Sequence, residues 1–424
     1  MHILLIAYEF PPSPSPQSLR WAYLARHLAD RGHRISVLTI HLGGETPGLP
    51  PLPSSIAVHR TFAGPIRGAL AALRDRRARA AGASRPGPAT PARRSRQGWK
   101  QAVSDALQSA AARIVFPDVR GEWQPWARRR LRGILHADRP DLVISSHEPA
   151  TSLELGILAK RAGLPWIADL GDPVLAPYTP PRWRARAWAL ERTVSDEADH
   201  LFVTTSAAAA LLEERHARHD RITVVTQGHA GAIDSSSGRI DFDPTRLELL
   251  YTGSFYSFRR PEALLAALRT CPGARLNIAA VTLPESVLGF ASEFPDRIRL
   301  LGFLPHNDAL AFQRDADLLV NIGNADPSQV PGKIYEYLGA CRPILHLGDG
   351  DDAIARLLSY LHRGWTTDND ADAIAALLDR LVETKRSGVF TDGLDLTAAT
   401  VAEWRWEHLA SRVEAVAASL VGRG

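Results

Sequence analysis

Lys333 and Glu336 form a pair whose spacing could serve a single ligand, within the stretch VPGKIYEYLG at residues 330–339. The pattern predicts a loop running into a helix with Gly332 at its start, where free backbone N–H groups attract an anion. Lys333 and Glu336 then share one helical face. The lysine can bind phosphate oxygens, and the glutamate can accept hydrogen bonds from ribose hydroxyls. This arrangement is typical of a nucleoside diphosphate site, although an exposed ion pair on a surface helix has the same spacing.

Two arginines and a histidine also stand just after predicted strands. Arg259 and Arg260 precede Pro261, where a helix is predicted to begin, and positive charges there are unfavourable unless an anion is bound. His147 follows a strand predicted at 141–145. The plain alternatives are an arginine pair that caps a surface helix and a structural histidine. Open α/β sheets nevertheless bind ligands at the carboxyl ends of their strands, which is where all three residues lie.

The predicted strands and helices around these residues alternate along the chain. The loop at 9–17, which contains Ser15 and Gln17, lies at the carboxyl end of the first predicted strand. The βαβ unit there lacks G-x-G-x-x-G, which disfavours a nicotinamide dinucleotide. Strands are predicted at 2–7, 34–40, 56–62, 141–145, 166–169, 200–204, 222–226, 247–252, 275–280, 298–301, 318–322 and 343–347. Helices are predicted from Ser18, at 150–161, 184–198, 207–215, 261–269, 285–293 and 308–315, at Lys333, and at 352–361, 371–384 and 397–420.

This alternation over 424 residues predicts an α/β protein with two tandem, doubly wound, Rossmann-like domains and a cleft between them. The polar stretch at 228–244 is the best domain boundary. The expected divisions are an acceptor-side domain at 1–235 and a nucleotide-binding domain at 236–396. The helix expected within 397–424 is long enough to cross back to the first domain.

Composition excludes several other classes of protein. A hydrophobic fraction of 45% and a charged fraction of 23% are ordinary for a globular chain. Cys271 and Cys341 are far apart and lack neighbours at metal-ligand spacing, which fits a reducing cytoplasm. The first residues are too briefly apolar for a signal peptide, and no window is long enough to span a membrane. The acidic runs at 349–352 and 368–372 are interpreted as helix caps and not as metal sites.

A basic region extends over residues 67–132, with 16 Arg and Lys against 4 Asp and Glu and a net charge of +12. Its middle, at 80–97, is expected to be a mobile excursion. Exposed aromatic and aliphatic residues beside basic ones would suit an anionic membrane surface. The alternative is a solvated arginine-rich insertion, and no motif for nucleic acid accompanies the charge. The residues concerned are Trp99, Lys100, Val103, Leu107, Arg113, Ile114, Val115, Phe116, Arg120, Trp123, Trp126, Arg128, Arg129 and Arg130.

Taken together, these motifs resemble the GT-B-fold glycosyltransferases, specifically the large retaining family of the family-four type that builds glycans and glycoconjugates from nucleotide sugars. The strongest match is the stretch 330–338 with the following ACRPIL, in the subgroup with a Lys-x-x-Glu-Tyr helix. In that family a glutamate on this helix accepts the ribose hydroxyls, and Glu336 matches it. The family's other glutamate is Ser328 here. A cytoplasmic enzyme is implied, free or peripheral on the cytoplasmic membrane face.

The resemblance also implies roles for the other motifs. The stretch LYTGSFYSFRRP at 250–261 matches the family's diphosphate-binding glycine, with Ser254 in place of the usual arginine, so that Arg259 or Arg260 must supply the charge. His147 would reach the donor sugar and the reaction centre. Asp172 lies in ADLGDP, where relatives have Asp-x-Arg-Asp-Pro. The implied catalytic residues are His147, Asp172, Lys333 and Arg259, the donor-binding residues are Gly253, Ser254, Arg260, Val330, Pro331, Gly332, Ile334 and Glu336, and the acceptor-side loop contributes Ser15 and Gln17.

The implied chemistry is sugar transfer from a nucleoside diphosphate donor to an acceptor, which is a glycan, a lipid-linked molecule or a small molecule. Retention of the anomeric configuration is expected, with the leaving phosphate helping to take the acceptor's proton. Neither a cofactor nor a metal is expected, because cationic side chains can stabilise the diphosphate. Two alternatives remain: another nucleotide-sugar enzyme of this fold, such as an epimerase, and a non-catalytic binding protein.

Overall fold

Two parallel sheets organise the chain in the computed structural model, which describes residues 1–43, 49, 51–81, 116, 119–231, 241–255, 259–323 and 330–422. Strands such as β1 (HILLIA) are apolar and buried along their whole length, as parallel strands covered by helices on both faces must be. The described residues contain thirteen α-helices, and the predicted fold class of two Rossmann-like α/β domains is confirmed. The middle of the basic region and Ser328 lie outside the described residues.

The first unit comprises Met1–Thr46, Pro51–Thr226 and Ala410–Gly424. Its seven strands are ordered β3-β2-β1-β4-β5-β6-β7, and Ala7 at the end of β1 is paired with Ser146 of β4. The strands are β1 His2–Ala7, β2 Arg34–Ile40, β3 Ala57–Thr61, β4 Leu142–His147, β5 Trp166–Leu170, β6 His200–Val203 and β7 Ile222–Val224. The helices are α1 Pro16–Asp30, α2 Pro65–Ala81, α3 Gln124–Ala137, α4 Ala150–Arg161, α5 Arg184–Glu197 and α6 Ser206–His216.

The second unit contains Gln227–Leu409 and has a six-stranded sheet ordered β10-β9-β8-β11-β12-β13. The strands are β8 Leu247–Thr252, β9 Ala274–Ala279, β10 Ile298–Leu300, β11 Leu318–Ile322, β12 Ile344–Leu347 and β13 Gly364–Thr367. The helices are α7 Glu262–Thr270, α8 Glu285–Glu293, α9 His306–Asp315, α10 Lys333–Gly339, α11 Ala353–Tyr360 and α12 Ala371–Arg386. Helix α13, Trp406–Val421, begins in this unit and continues into the first.

The division between the units falls after Thr226, whereas the sequence placed it after residue 235. Val225 still extends the first sheet, because its N–H donates to the carbonyl of Val203 at 2.8 Å. His229 already belongs to the second unit, where its N–H donates to the carbonyl of Trp404 at 3.0 Å. Only the part of the last helix from Ala410 onward groups with the first unit. There Glu414 accepts hydrogen bonds from Arg31 at 3.0 Å.

Several elements differ from the prediction. Strand β13 and helices α2 and α3 were not predicted, and the last helix begins at Trp406 after a 3-10 turn at Ala402–Trp404 rather than at residue 397. Strand β13 has only four half-buried residues, so its apolar signal is weak. Its Gly364 has a φ of +147°, and a side chain there would collide with the backbone of Ile344.

Two aromatic residues of the basic region were expected on the surface but are buried. Trp123 is 0% exposed, packs edge-on against Tyr8 and donates its Nε1–H to Thr61 Oγ1 at 2.7 Å. Phe116 is 6% exposed and packs edge-on against Trp183. Both rings are needed in the core of the first unit, so they are lost to any surface function. Trp126 remains exposed, as do Arg128, Arg129 and Arg130.

Candidate functional site

Lys333 is the residue in the second unit whose surroundings point most clearly to a ligand. Its Nζ atom is buried and has no hydrogen-bond partner among the residues that the structure describes. The ammonium position lies 3.9 Å from the ring centroid of Tyr251 and 5.8 Å from that of Tyr337. These ring faces attract a cation but satisfy none of its hydrogen-bond donors. The amine therefore lies against two aromatic rings, and its hydrogen-bond donors have no acceptor among the described residues.

The buried position of the Lys333 amine lowers its pKa. Burial, and secondly the charge of Arg259, lower the pKa of Lys333 well below its usual range, while Glu336 acts in the opposite direction. A buried amine without a hydrogen-bond acceptor is more stable without its proton. An anion placed beside Nζ would supply the missing acceptor and raise the pKa again. The site is thus poised to bind a negative charge.

Arg259 is a second cation near Lys333. Arg259 is only 9% exposed, and its NH1 donates to the carbonyl of Ser254 at 3.5 Å. Arg260 is exposed, and its carbonyl accepts a hydrogen bond from the amide of Asn369 at 3.2 Å. The charge of Arg259 acts on the pKa of Lys333, so this arginine adds positive potential at the amine.

The end of strand β8 fixes the position of helix α10. Tyr337 accepts a hydrogen bond from the backbone N–H of Thr252 at 3.0 Å and lies 3.2 Å from its Oγ1. Tyr251 donates its hydroxyl to the carbonyl of Ser254 at 3.0 Å and stacks on Phe255 with a centroid distance of 4.4 Å. The two tyrosines that flank Lys333 are thereby locked. This role could not be predicted from the sequence, because the contacts of the Lys333 amine with the two rings depend on the fold.

The remaining residues of the stretch take simple positions. Gly253 has a φ of +106°, which favours glycine, and open space surrounds the place of a β-carbon. Helix α10 has seven residues, so its dipole is small and the charge of the site must come from side chains. The Glu336 carboxylate is half-buried on the same helix. Pro331 and Ile334 are buried, whereas Val330 and Gly332 are half-buried.

In the first unit, His147 ends strand β4 and is 5% exposed. Its Nδ1 lies 3.0 Å from the backbone carbonyl oxygen of Asp172. A carbonyl can only accept, so Nδ1 carries a proton and donates it. The other nitrogen, Nε2, has no hydrogen-bond partner among the described residues and is an acceptor in the neutral ring. The histidine is therefore oriented by one nitrogen and presents the other.

Gln17 belongs to a buried network that holds the ends of two strands. Its amide nitrogen donates to Ser146 Oγ at 2.7 Å and to Asp169 Oδ2 at 2.9 Å. Arg20 forms a fully buried ion pair with the same aspartate at 2.7 Å. Ser15 caps helix α1 by accepting the N–H of Ser18 at 3.2 Å. Ser15 and Gln17, which were expected in the acceptor-side loop, thus have hydrogen-bond partners within the first unit. Asp169 was not predicted as part of this network, because it lies inside the buried strand β5.

Four side chains form a polar cluster beside His147. Arg120 donates to Glu148 Oε2 at 2.9 Å, and the hydroxyl of Tyr178 lies 3.4 Å from Glu148 Oε1 and 3.3 Å from Asp172 Oδ2. Burial raises the pKa of Glu148, but His147 and Arg120 outweigh it and lower the pKa overall. Burial and the two carboxylates raise the pKa of Tyr178. Asp172 and Glu148 are thus two carboxylates within reach of the same donor, the hydroxyl of Tyr178.

The acidic runs act as helix caps, as predicted. Asp352 accepts the N–H groups of Ile354 and Ala355 at 2.8 Å and bonds the Nε2 of His346 at 2.8 Å. Asp370 caps helix α12 in the same way. Within the described ranges, no three His, Cys, Asp or Glu side chains are grouped so that they could hold a metal ion. No helix in those ranges is long and apolar enough to cross a membrane.

Comparison with known proteins identifies the family. Residues 17–228, half of the chain, match the family model of the glycosyl transferase 4-like domain. The chain belongs to this family. No curated protein matches the sequence. The resemblance inferred from the motifs is therefore confirmed at the level of a family 4-like glycosyltransferase.

Solved structures show that the whole chain of this family member has the GT-B fold. Sucrose-phosphate synthase of Thermosynechococcus elongatus has 16% identity and a TM-score of 0.69, and the match covers 100% of both chains. HepE of Anabaena, solved with UDP-glucose, has 14% identity and a TM-score of 0.62 over 99% of this chain and 100% of the other. WaaG, a glycosyltransferase involved in lipopolysaccharide biosynthesis, has 14% identity and a TM-score of 0.59 with the same coverage.

Proposed function

We propose that this family 4-like glycosyltransferase transfers a sugar from a nucleoside diphosphate donor to a glycan, a lipid-linked molecule or a small molecule, with retention and without a metal. The observation that carries the proposal is the buried amine of Lys333, which has no acceptor among the described residues and lies near a second buried cation, Arg259. Such a pair is suited to a diphosphate. That HepE was solved with UDP-glucose supports a nucleotide sugar as the donor.

The second unit binds the donor in this proposal. Lys333 and Arg259 contact the diphosphate, and the Glu336 carboxylate accepts hydrogen bonds from the ribose hydroxyls. Gly253 lets the chain approach the phosphates closely, because no side chain occupies that space. As the bond between the sugar carbon and the phosphate oxygen breaks, negative charge grows on the leaving group, and the two cations stabilise it. The same charge is stabilised by a metal ion in other transferases.

His147 acts on the sugar in this proposal. Its Nδ1 is held by the carbonyl of Asp172, so its Nε2 can accept a hydrogen bond from a sugar hydroxyl. The new bond forms between the sugar carbon and an acceptor oxygen, whose proton passes to the leaving phosphate. The charge that develops on the sugar resembles an oxocarbenium ion. Asp172 and Glu148 add negative potential near the histidine, which would stabilise that positive charge.

Product formation with an acceptor tests the proposal. The full-length protein is incubated with nucleotide sugars and candidate acceptors, and the anomeric configuration of the product is read by NMR. Transfer with retention supports the proposal. Turnover of the donor without any acceptor would instead indicate an epimerase, and binding without turnover would indicate a non-catalytic protein. Activity should persist in EDTA, and loss that Mg²⁺ or Mn²⁺ restores would contradict the metal-free mechanism.

A further inference from the structure

A surface of the first unit combines exposed aromatic rings with arginines and has no part in the proposed reaction. Phe62, just after β3, and Trp126, on α3, are 46% and 38% exposed and pack edge to face with a centroid distance of 5.1 Å. Together with Arg129 and Arg130 they line a pocket of about 340 Å³. These four residues are called the aromatic–arginine surface below.

The charge of this surface is only partly balanced by Asp138, whose carboxylate lies 3.7 Å from the Nε2 of His59 and 3.5 Å from Arg34. Helix α3 carries Arg128, Arg129, Arg130 and Arg132 and has no acidic residue. Arg130 donates to the Nδ1 of His59 at 2.8 Å, a contact that leaves its positive charge in place. Arg128 and Arg129 are exposed and form no ion pair with any residue in the described ranges. The surface therefore places the positive charges of the arginines beside the exposed rings of Phe62 and Trp126.

An anionic phospholipid matches this combination. Arginine binds phosphate through a planar fork of N–H groups, and tryptophan favours the level of the headgroups at a membrane surface. Single-stranded nucleic acid would need ring faces open to stacked bases, whereas these two rings pack on each other. We propose that the aromatic–arginine surface binds the headgroup region of a bilayer that contains anionic phospholipid, with the arginines on lipid phosphate and Trp126 at the apolar boundary.

The inference does not depend on glycosyl transfer, and its test needs no substrate. The full chain is sedimented with vesicles of phosphatidylglycerol and phosphatidylcholine, and with vesicles of phosphatidylcholine alone. Wild-type protein should bind only the anionic vesicles, and binding should fall as salt is raised, because the contacts with phosphate are ionic. The double change Arg129→Ala and Arg130→Ala should weaken binding about twenty-five-fold, since each cation near the headgroups contributes about a factor of five.

Trp188 provides a matched control. It lies on α5 of the same unit, is also 38% exposed and packs against His216 instead of arginines. Brominated lipids in the anionic vesicles should quench part of the tryptophan fluorescence of the wild type. That part should disappear in Trp126→Phe and persist in Trp188→Phe. Melting curves of all variants should match the wild type, since each changed side chain is exposed.

Three results would overturn the inference. The first is equal binding to neutral and anionic vesicles, or binding to neither. The second is quenching that survives Trp126→Phe but is lost in Trp188→Phe, which would place the contact elsewhere. The third is binding to single-stranded DNA together with failure to bind vesicles, which would assign the surface to nucleic acid.

Discussion

Replacing Lys333 by methionine should make the protein more stable and its donor binding weaker. The change keeps an unbranched side chain, shorter than lysine by the terminal atom, and removes the buried nitrogen. A buried polar atom costs about 1–3 kcal/mol when it has no partner, and Nζ has none among the described residues. The lost contact with the Tyr251 ring offsets at most about 0.5–2 kcal/mol, and only to the extent that the amine carries its proton. The expected net gain without ligand is about 1 kcal/mol. For a unit of this size, that corresponds to a rise in Tm of about 2–4 °C.

The same substitution should reduce affinity for the donor. A charge-assisted hydrogen bond to phosphate is worth about 1.5–3 kcal/mol, so Kd should rise by about 10-fold to 150-fold. Thermal unfolding without ligand and calorimetric titration with nucleoside diphosphates measure the two effects separately. If Lys333 binds the donor but destabilises the protein without ligand, its removal raises Tm and lowers affinity. Removal of a residue with only a structural role lowers Tm.

Lys385 in the same unit serves as the control. Its Nζ donates to the carbonyl of Arg246 at 2.6 Å and is paired with the carboxylate of Asp317. Lys385→Met should therefore lower Tm and leave nucleotide affinity unchanged. If Lys333→Met lowers Tm like Lys385→Met and binds nucleotides like the wild type, the reasoning about the buried amine is refuted.

Three further predictions concern other residues. Glu336→Ala should weaken donor binding by about 1.5–3 kcal/mol with an unchanged far-UV spectrum, and unchanged affinity in the titration would remove the ribose contact from the account. His147→Ala should lower kcat much more than nucleotide affinity, and equal turnover would make this histidine structural. Burial, with Arg218 and Arg221, lowers the pKa of His200 to about 4. Because the unfolded histidine takes up its proton near pH 6.5, stability should fall as pH decreases from 6.5 to 4. Urea midpoints should show a smaller fall for His200→Gln, and an identical fall would assign the pH dependence to other groups.

Much of the fold could be predicted because its strands are buried on both faces. Strands such as β1 and β8 are continuous apolar runs, and that signal is local in sequence. Strand β13 escaped because GWTT is short and half-buried. Helix α3 escaped because its run of arginines hides a narrow apolar stripe of Ala127, Leu131 and Ile134.

The site was only partly predictable, because its decisive contacts join distant segments. The types and spacing of Lys333 and Glu336 are visible in the sequence. The bond between Thr252 and Tyr337 spans 85 residues, and no local pattern announces it. The sequence also could not show that the amide of Gln17 donates to Ser146 and Asp169, since these partners lie 129 and 152 residues away in the chain. Position along the chain was thus easier to predict than the direction of a side chain.

A nucleotide-sugar site at Lys333 and Glu336 can be tested by a thermal-shift screen of nucleoside diphosphate sugars on the wild type and on the double variant Lys333→Met, Glu336→Ala. Binding stabilises the native state by mass action, about 2.7 kcal/mol at 100 times Kd. At least one nucleotide sugar should raise the Tm of the wild type by several degrees and have a much smaller effect on the variant. Equal shifts in both proteins, or no shift with any nucleotide sugar, would contradict a nucleotide-sugar site at Lys333 and Glu336.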